Sequence, residues 1–551
     1  MTAPDTGAPV PDTGALVPDT GALVLDTGAL VLDTGALVLD TDVLVLGGGP
    51  AGAWAAVAAV GAGARVVLAD KGYCGTSGPT ASGGNNLWYV PPDAEARERA
   101  VDERFEQSGR LADHRWMARV VDETYRRVDD LASFGYPFPA DRNGVERRGS
   151  LQGPEYMKRM RRRVHRSGVT ILDHHPALRL LVDDGGVVAG AAGIARQKGG
   201  VSWNVRAGAV VLATGGCAFL SGAFGTNVDT GDGHLMAAEL GAELSGMEFS
   251  SAYALSPVHG SHTKGLMMHF ATYYAEDGTT IDVPNPLGAR VQLAERLAKG
   301  EKVYARLDKA PSELHEAMRN AQPNYFLPLD KAGIDPFRDR YELRMVSEGT
   351  VRGTGGLRIL NDDCATTVSG LYAAGDVATR ELVSGSVSGG GAYNGAWAIS
   401  SGTWAGRGAA AFAVGRARPN PLPTGHAGLT PGPLDAATVI HTMQNEILPL
   451  DRNLFRTRDG LRDSLTRLDT LWEQIISRGI AGAGRERLRA RSAAAMTLHA
   501  RWSYRAALAR PESRGMHRLD DLPTLRQFEH RRLIGGLDDQ WTAPEPQEVP
   551  A

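Results

Sequence analysis

Apolar runs that end in glycine clusters dominate the chain after residue 40, and they predict alternating strands and helices. Residues 43–46 are apolar β-formers that lead directly into Gly-x-Gly-x-x-Gly at Gly47, Gly49 and Gly52. Small apolar residues then fill positions 51–62, which predicts a helix that packs closely on a sheet. This strand, turn and helix form the first half of a parallel βαβ unit.

The second half of the unit supplies an acid at a diagnostic position. A second apolar run, residues 65–69, ends on Asp70, about twenty residues beyond the first glycine. Gly47 allows a tight turn, Gly49 lets the backbone approach a diphosphate, and Gly52 lets the helix lie on the strand. Asp70 is placed to accept hydrogen bonds from a ribose. The pattern therefore predicts an adenine dinucleotide site, and by itself it leaves both FAD and NAD open.

Later apolar runs predict further strands of the same sheet. The segment 169–210 is rich in β-formers and contains a hairpin turn at 183–186. Two more runs end in glycine turns, at 213–216 and at Gly375-Asp376. Small residues from about position 393 predict a second helix.

The periodicity becomes helical after a proline-rich linker at 419–433. Leucines at helical spacing predict amphipathic helices over residues 434–510, for example at Leu461, Leu465, Leu468 and Leu471.

Length and composition fit a multi-domain globular enzyme. The chain has 551 residues, 42% of them hydrophobic and 22% charged, and its net charge of −4 gives no sign of nucleic-acid binding. The three cysteines, Cys74, Cys217 and Cys364, are far apart, which excludes a disulfide framework and an in-chain cysteine-ligated iron–sulfur cluster. No apolar run reaches transmembrane length, and no metal-ligand spacing stands out. We expect a cytoplasmic protein without a metal centre.

The amino-terminal segment is a repeat. Asp-Thr-Gly-Ala recurs every seven residues from Asp5, and the phase continues into the first strand. Glycine in every unit argues against a coiled coil. We interpret residues 1–38 as repeated copies of the short segment that leads into the first strand, and we expect them to be disordered or loosely extended. The alternative is a targeting or partner-binding arm.

Five separated blocks resemble the flavoprotein subunits of succinate dehydrogenase and fumarate reductase, together with L-aspartate oxidase and the flavoprotein subunit of adenylylsulfate reductase. The resemblance covers roughly residues 41–530. The blocks are Gly47–Gly52 with Asp70, the loop Ser77–Gly84, Val211–Gly216 with Thr230–Gly233, Leu371–Asp376, and Ser513–His517.

The resemblance implies the fold class and the domains. It implies an α/β protein with a Rossmann-like FAD-binding domain, an inserted α+β capping domain and a helical C-terminal domain. The FAD-binding domain would be bipartite, at 39–240 and 345–418. The capping domain would occupy 241–344 and the helical domain 434–530.

The same resemblance implies FAD rather than NAD as the cofactor. Besides the opening glycines and Asp70, it implies contacts along the phosphates, the ribityl chain and the flavin ring. The N-terminus of a helix would face the N1–C2=O edge of the ring and stabilise negative charge on it. These additional contacts are Lys71, Ser77, Gly83, Gly84, Asp232, Asp376, Tyr393 and Asn394.

Two departures from the family pattern bear on chemistry. Ser77 stands where succinate dehydrogenases carry the histidine that bonds to FAD, so we expect non-covalent FAD. Tyr253, Val351 and Ser388 stand at or near positions where the dicarboxylate enzymes carry two histidines and an arginine. Because such charge-assisted contacts are hard to replace, succinate, fumarate and aspartate are poor candidate substrates.

Two residues remain as candidates for proton transfer. Arg290 lies in a segment that resembles the helix carrying the proton-shuttling arginine, although a solvated helix arginine is an equal alternative. Tyr253 could serve if its neighbours lowered its pKa. We therefore predict an FAD-dependent oxidoreductase that exchanges hydride with a small organic substrate. The alternatives are a subunit that passes electrons to a separate ferredoxin-like iron–sulfur protein, as in adenylylsulfate reductase, and a flavin-binding scaffold without chemistry.

Overall fold

The computed structural model describes residues 30–31, 37–141, 143–283, 286–416 and 421–546. Most of the predicted leader, residues 1–38, lies outside the described residues. The strands, in chain order, are β1 (Leu30–Val31), β2 (Leu37–Leu46), β3 (Val66–Ala69), β4 (Gly84–Asn86), β5 (Ser150–Gln152), β6 (Thr170–Leu172), β7 (Ala177–Val182), β8 (Val188–Ala195), β9 (Val201–Leu212), β10 (Leu244–Ser245), β11 (Tyr253–Pro257), β12 (Thr272–Ala275), β13 (Thr280–Ile281), β14 (Val303–Arg306), β15 (Tyr341–Ser347), β16 (Gly356–Leu357), β17 (Leu371–Ala373), β18 (Leu422–Pro423), β19 (Arg532–Gly535) and β20 (Trp541–Pro544).

The helices follow the predicted alternation. They are α1 (Pro50–Gly61), α2 (Ala94–Gln107), α3 (His114–Ser133), α4 (Gly153–Arg166), α5 (Asp232–Ala238), α6 (Pro286–Ala298), α7 (His315–Ala321), α8 (Pro323–Lys331), α9 (Gly349–Arg352), α10 (Glu381–Ser384), α11 (Gly390–Ala413), α12 (Ala436–Ile447), α13 (Leu450–Asn453), α14 (Arg458–Arg478) and α15 (Glu486–Leu508).

One large sheet organises the cofactor-binding part. Its strand order is β18-β7-β8-β9-β2-β3-β6, with β1 beside β2 and β17 beside β9. Strands β2, β3, β6, β9 and β17 run parallel. Strands β7, β8 and β9 pair antiparallel in chain order, and the predicted hairpin turn at 183–186 joins β7 to β8. The parallel strands bring the turns after β2, β3, β9 and β17 to one edge of the sheet.

Two helices of small residues cover the parallel strands. On α11, a Cβ built on Gly402 would lie 2.3 Å from the carbonyl oxygen of Ala51, and one on Gly406 would lie 2.2 Å from that of Ala55. Glycine therefore allows α11 to contact the backbone of α1 directly. The second predicted helix is α11, which begins at Gly390, three residues earlier than expected.

A second sheet, antiparallel, lies between β10 and β16 in the chain. Its order is β11-β15-β14-β12-β13, and it encloses a hydrophobic cluster with residues of α6 and α8, including Leu293, Tyr325 and Phe326. We call this unit the cap. The observed α/β fold with its helical carboxyl-terminal part confirms the predicted fold class, whereas the domain bounds stay predictions.

The helical carboxyl-terminal part packs as its leucines predict. Leu461, Leu465, Leu468 and Leu471 are all buried on one side of α14. Among the described residues, no helix combines the length and the apolar character that crossing a bilayer requires.

Candidate functional site

A long cavity lies at the carboxyl ends of the parallel strands. It holds about 1310 Å³ of space, its open mouth included, and its walls include Gly47 after β2, Asp70 after β3 and Thr214 after β9. Open α/β sheets bind their ligands at this edge, where strand order reverses. The fold therefore places the glycine motif and the predicted ribose acid in one cavity.

The first turn of α1 provides an anion-binding end of this cavity. Gly47 has a φ of 108°, and a Cβ on it would lie 2.2 Å from the carbonyl oxygen of Ala213, so the turn requires glycine. Gly49 is the N-cap of α1 and provides no side-chain acceptor, which leaves N–H groups of the first turn available. No atom lies within 4 Å of a Cβ built on Gly49, so the backbone there borders open space.

Asp70 is almost fully buried, with 2% of its surface exposed, and it borders the cavity. Its Oδ2 accepts a hydrogen bond from Gly48 N at 2.5 Å, while its Oδ1 accepts from Gly72 N and Ser77 Oγ, both at 2.6 Å. These donors fix the carboxylate beside the glycine turn, and its remaining lone pairs can accept from a ligand diol.

The residue after Asp70, Lys71, takes part in a hydrogen-bonded ion pair on the wall. Lys71 Nζ lies 2.6 Å from both Asp232 Oδ2 and Thr230 Oγ1. Burial acts to raise the pKa of Asp232, but Lys71 and the hydroxyls of Thr230 and Ser492 outweigh it and lower the pKa. The charge of Lys71 is therefore balanced by Asp232 within the protein.

Buried polar atoms on the cavity wall show that the site is built for a polar ligand. Asp229 Oδ2, Thr214 Oγ1 and Asn394 Oδ1 have no hydrogen-bond partner among the described residues, although all three residues border the cavity. Buried polar groups rarely lack partners in folded proteins. Burial, assisted by the charge of Asp376, raises the pKa of Asp229 well above its usual value, so its carboxyl is a potential hydrogen-bond donor. An extended dinucleotide rich in oxygen and nitrogen fits this wall.

Comparison with known proteins decides the family. The FAD binding domain family matches residues 42–273, and the family described as the fumarate reductase flavoprotein C-terminus matches residues 441–543. L-Aspartate oxidase of Mycobacterium leprae is 30% identical over an alignment that covers 90% of this chain and 95% of that protein. The chain belongs to the FAD-dependent flavoprotein family of fumarate reductase and L-aspartate oxidase.

Further relatives agree with this assignment. One subunit of the fumarate reductase (CoM/CoB) of Methanothermobacter marburgensis is 26% identical, over an alignment that covers 89% of this chain and 96% of that protein. The structure of a variant of E. coli quinol fumarate reductase superposes with a TM-score of 0.77 at 21% identity, covering 93% of this chain and 98% of that one. The protein is thus an FAD-dependent oxidoreductase of the fumarate reductase and succinate dehydrogenase flavoprotein type.

The structure brings most of the predicted FAD contacts to the walls of the cavity. Ser77 is among them, but its hydroxyl donates to Asp70, so it lies by the predicted ribose acid. Asp376 pairs with the buried guanidinium of Arg380. The predicted residues on the walls are Gly47, Gly49, Asp70, Lys71, Ser77, Asp232, Asp376 and Asn394.

Four predicted contacts do not line the cavity. Gly52 has the packing role expected of it, since a Cβ there would lie 1.8 Å from the carbonyl oxygen of Gly47. The Tyr393 ring packs against Trp88, with the guanidinium of Arg104 4.1 Å from its centre. The remaining two, Gly83 and Gly84, lie against the side chain of Lys264.

Tyr253 does not reach the cavity, which removes it from the candidates for proton transfer. Its side chain packs with Ala294 and Leu454, and its hydroxyl donates to the carbonyl oxygen of Leu448 at 2.9 Å. Burial raises the pKa of Tyr253 rather than lowering it. Because Tyr253 aligns with a family histidine, we expected it to contact the substrate. The structure instead places it between the cap and the helical carboxyl-terminal part.

Lys264 and Arg352 border the cavity at its cap end, and sequence reasoning missed both. Lys264 Nζ donates to the carbonyl oxygen of Gly84 at 3.0 Å, and a Cβ on Gly83 would lie 3.4 Å from that nitrogen. The glycine pair thus provides space for the ammonium group. Lys264 follows an irregular loop with no periodicity, so only the fold reveals it.

Arg290 lies close to this group without bordering the cavity. A Cβ on Gly265, the residue after Lys264, would lie 3.0 Å from Arg290 Nη2. Burial lowers the pKa of Arg290, and the nearby Glu348 opposes that shift. The alternative of a fully solvated helix arginine does not hold. We call Lys264, Arg290 and Arg352, with Glu348 among them, the cap cation cluster.

Proposed function

We propose that this protein exchanges a hydride between a small organic substrate and non-covalently bound FAD. The observation that carries the proposal is a single cavity bordered both by the dinucleotide-binding turn and, through Lys264 and Arg352, by the cap. A ligand that fills the turn end leaves the cap end for a second, smaller molecule.

The chain's own groups would hold the two ends of FAD. The N–H groups of the first turn of α1 would bind the diphosphate, and Asp70 the ribose. At the other end, α11 begins at Gly390, and Gly390, Gly391 and Asn394 border the cavity. The positive end of that helix would stabilise negative charge on the reduced flavin ring, which supplies the two-electron chemistry.

The end of the cavity that Lys264 borders lies next to the N-terminus of α11. A Cβ on Gly391 would lie 3.7 Å from Asn86 N, next to Asn85, which contacts Lys264 Nζ at 3.5 Å. Asn394 Nδ2 donates to the carbonyl oxygen of Val351 at 3.5 Å. Lys264 of the cap borders the space in front of α11 together with Asn85 and Val351, which lie outside the cap sheet, and these residues would enclose the substrate and exclude water.

The test is anaerobic reduction of the purified protein. We expect a yellow protein whose visible flavin band bleaches when a substrate is added from a panel of organic acids, amino acids and hydroxy acids. A protein that binds no FAD, or whose FAD is reduced by dithionite and by no compound of such panels, contradicts the proposal.

Acid precipitation should release the flavin into the supernatant. Of the described residues that border the cavity, none is histidine or cysteine, and the one tyrosine, Tyr156, accepts a hydrogen bond from Trp54 Nε1. No imidazole or thiol is therefore present on the described walls to form a bond to the ring. Absorbance of pellet and supernatant after trichloroacetic acid treatment measures this, and a yellow pellet would overturn the non-covalent assignment.

Asp70→Asn should weaken FAD retention while the fold remains. The amide of Asn keeps one oxygen that can accept from the neighbouring N–H groups, but an NH₂ group replaces the second carboxylate oxygen. The hydrogen bonds from the ribose to a charged carboxylate are therefore lost, and each such bond contributes about 1.5–3 kcal/mol. We expect the FAD dissociation constant to rise about tenfold or more. Titration of the deflavinated protein with FAD checks this, and Asp173→Asn, which affects a carboxylate paired with Arg161 at 2.7 Å outside the cavity wall, serves as the matched control.

A second candidate role is transfer of electrons to a separate iron–sulfur protein. All three cysteines are buried and far apart, so any cluster would lie on another chain. Electron transfer from the substrate-reduced protein to a ferredoxin-type acceptor, faster than to oxygen, would favour this role.

A further inference from the structure

We propose that a basic groove beside α4 is a second ligand site, which binds a nucleoside diphosphate or triphosphate. The groove holds about 1190 Å³ of space, its open mouth included, which is large enough for a nucleotide. One wall is the loop after β3, from Tyr73 to Thr76, and the other is α4. Among the described residues, none that borders this groove also borders the FAD cavity. The proposal does not depend on the hydride exchange proposed above.

Positive charge runs in a row along the wall that α4 provides. Lys158, Arg162 and Arg166 are spaced four residues apart, and all three are exposed and border the groove. Lys158 lies 3.9 Å from Glu155, whereas no carboxylate of the described residues lies within ion-pair distance of Arg162 or Arg166. The row therefore presents largely uncompensated charge to the groove.

This charge has a cost for the helix that carries it. Helix α4 has six lysine and arginine residues and one acidic residue, although the chain as a whole has a net charge of −4. Like charges four residues apart on a helix repel each other and destabilise it. Proteins tolerate such local costs mainly at functional sites. An anionic ligand with several charges would offset the repulsion along the whole row.

The opposite wall of the groove is already held in place. Arg161, which pairs with Asp173, donates from Nη1 to the carbonyl oxygen of Cys74 at 2.9 Å. Gly75 N donates to the carbonyl oxygen of Gly48 at 3.0 Å. The loop is thus fixed both to α4 and to the glycine turn after β2, so a ligand would not have to order it on binding.

Tyr73 gives the groove a flat aromatic surface. The guanidinium carbon of Arg161 lies 3.8 Å from the centre of the Tyr73 ring, and 42% of the tyrosine's surface remains exposed. Nucleobases stack on aromatic side chains of this kind, largely regardless of their sequence identity. A row of cations next to an exposed ring in a concave site matches the phosphates and the base of one nucleotide. A membrane surface or an acidic protein would use the row and leave the ring without a partner.

The experiment measures binding of ATP to the holoprotein, after gel filtration has removed free FAD. We expect calorimetry to detect binding, and Arg162→Gln and Arg166→Gln each to raise the dissociation constant about tenfold with unchanged flavin content. The matched control is Arg163→Gln. Arg163 is an exposed arginine of the same helix that borders a different cavity, beside Phe134, so its replacement should leave ATP binding unchanged.

Inorganic triphosphate tests the role of the base. We expect it to bind the wild type about fivefold or more weakly than ATP, and Tyr73→Ser to remove this difference. Equal binding of triphosphate and ATP by the wild type would overturn the assignment to a nucleotide and favour inorganic polyphosphate.

Three further outcomes would also overturn the proposal. The first is a holoprotein that binds no ATP, or that binds it as tightly after both arginine substitutions. The second is ATP binding only to protein from which FAD has been removed, because ATP would then occupy the FAD cavity. The third is attachment to vesicles that contain anionic lipids without any binding of ATP, which would assign the row of cations to a membrane surface.

Discussion

Replacing Gly49 with alanine should leave the fold intact and remove most of the bound FAD. Gly49 has a φ of −73° and a ψ of −172°, which any residue can adopt, and a Cβ there meets no protein atom within 4 Å. The new methyl group would instead stand in the open space before the first turn of α1, where the diphosphate has to approach the backbone closely.

The expected size of the effect follows from the hydrogen bonds that the methyl group would break. Displacing the diphosphate from one charged hydrogen bond costs about 1.5–3 kcal/mol, so the FAD dissociation constant should rise about tenfold to about a hundredfold. Flavin content after purification and FAD titration of the apoprotein measure it. A Gly49→Ala protein that binds FAD as tightly as the wild type would show that the diphosphate lies elsewhere.

Gly52→Ala is the matched control within the same motif. Its Cβ would lie 1.8 Å from the carbonyl oxygen of Gly47, a backbone atom held by the sheet. We expect it to destabilise the protein by about 1–3 kcal/mol or more, because α1 has to shift away from the strand. Two glycines of one motif should thus fail in different ways, the first in cofactor binding and the second in folding.

Removing the Arg510 guanidinium should cause one of the largest losses of stability in the chain. Arg510 is fully buried, with Nε 2.7 Å from Glu248 Oε1 and Nη1 3.1 Å from Glu512 Oε1, and both carboxylates are also fully buried. Its Nη1 and Nη2 also donate to the carbonyl oxygens of Phe528 and His530, both at 2.9 Å. Arg510→Met leaves two buried carboxylates without this partner, which costs roughly 3–5 kcal/mol.

Denaturant unfolding of the holoprotein measures this loss. Arg462→Met is the matched control, because Arg462 forms an exposed pair with Asp459 and such pairs contribute little. If Arg510→Met yields no soluble protein, Arg510→Lys, which keeps the charge and loses the forked contacts, should fold with an intermediate stability. Equal stability of Arg510→Met and wild type would mean that this buried network does not stabilise the fold.

The parts predicted correctly from the sequence depend on local patterns. The turn after β2 and the helix α1 follow from glycines and small residues a few positions apart, and the burial of Leu461 and Leu468 follows from helical spacing. In such segments apolar side chains recur at the repeat of the helix or strand itself, so a few neighbouring residues are enough to predict the element. The start of α11 at Gly390 differs from its prediction by three residues, because glycines have no side chain and so give no hydrophobic periodicity that would mark the first helical turn.

The substrate end depends on tertiary contacts that no local pattern encodes. Lys264 follows an irregular segment and Arg352 ends a short helix beyond the cap sheet, and only the packing of the cap brings both to one cavity. Tyr253 shows the converse. Its alignment with a family histidine suggested chemistry, yet its hydroxyl is directed to the Leu448 carbonyl, because β11 turns that face toward the helical part.

The small sheet β16-β10-β19-β20 has a consequence for biosynthesis. Strand β10 precedes the cap and β16 follows it, yet β19 pairs with β10 and comes from the final part of the chain. While the nascent chain is still being translated, the base of the cap lacks this strand, although the earlier sheet can already form. Pairing of β10 with β19 therefore has to wait until residues 532–535 have been synthesised, and a chain that ended before them would expose an unpaired strand edge at β10.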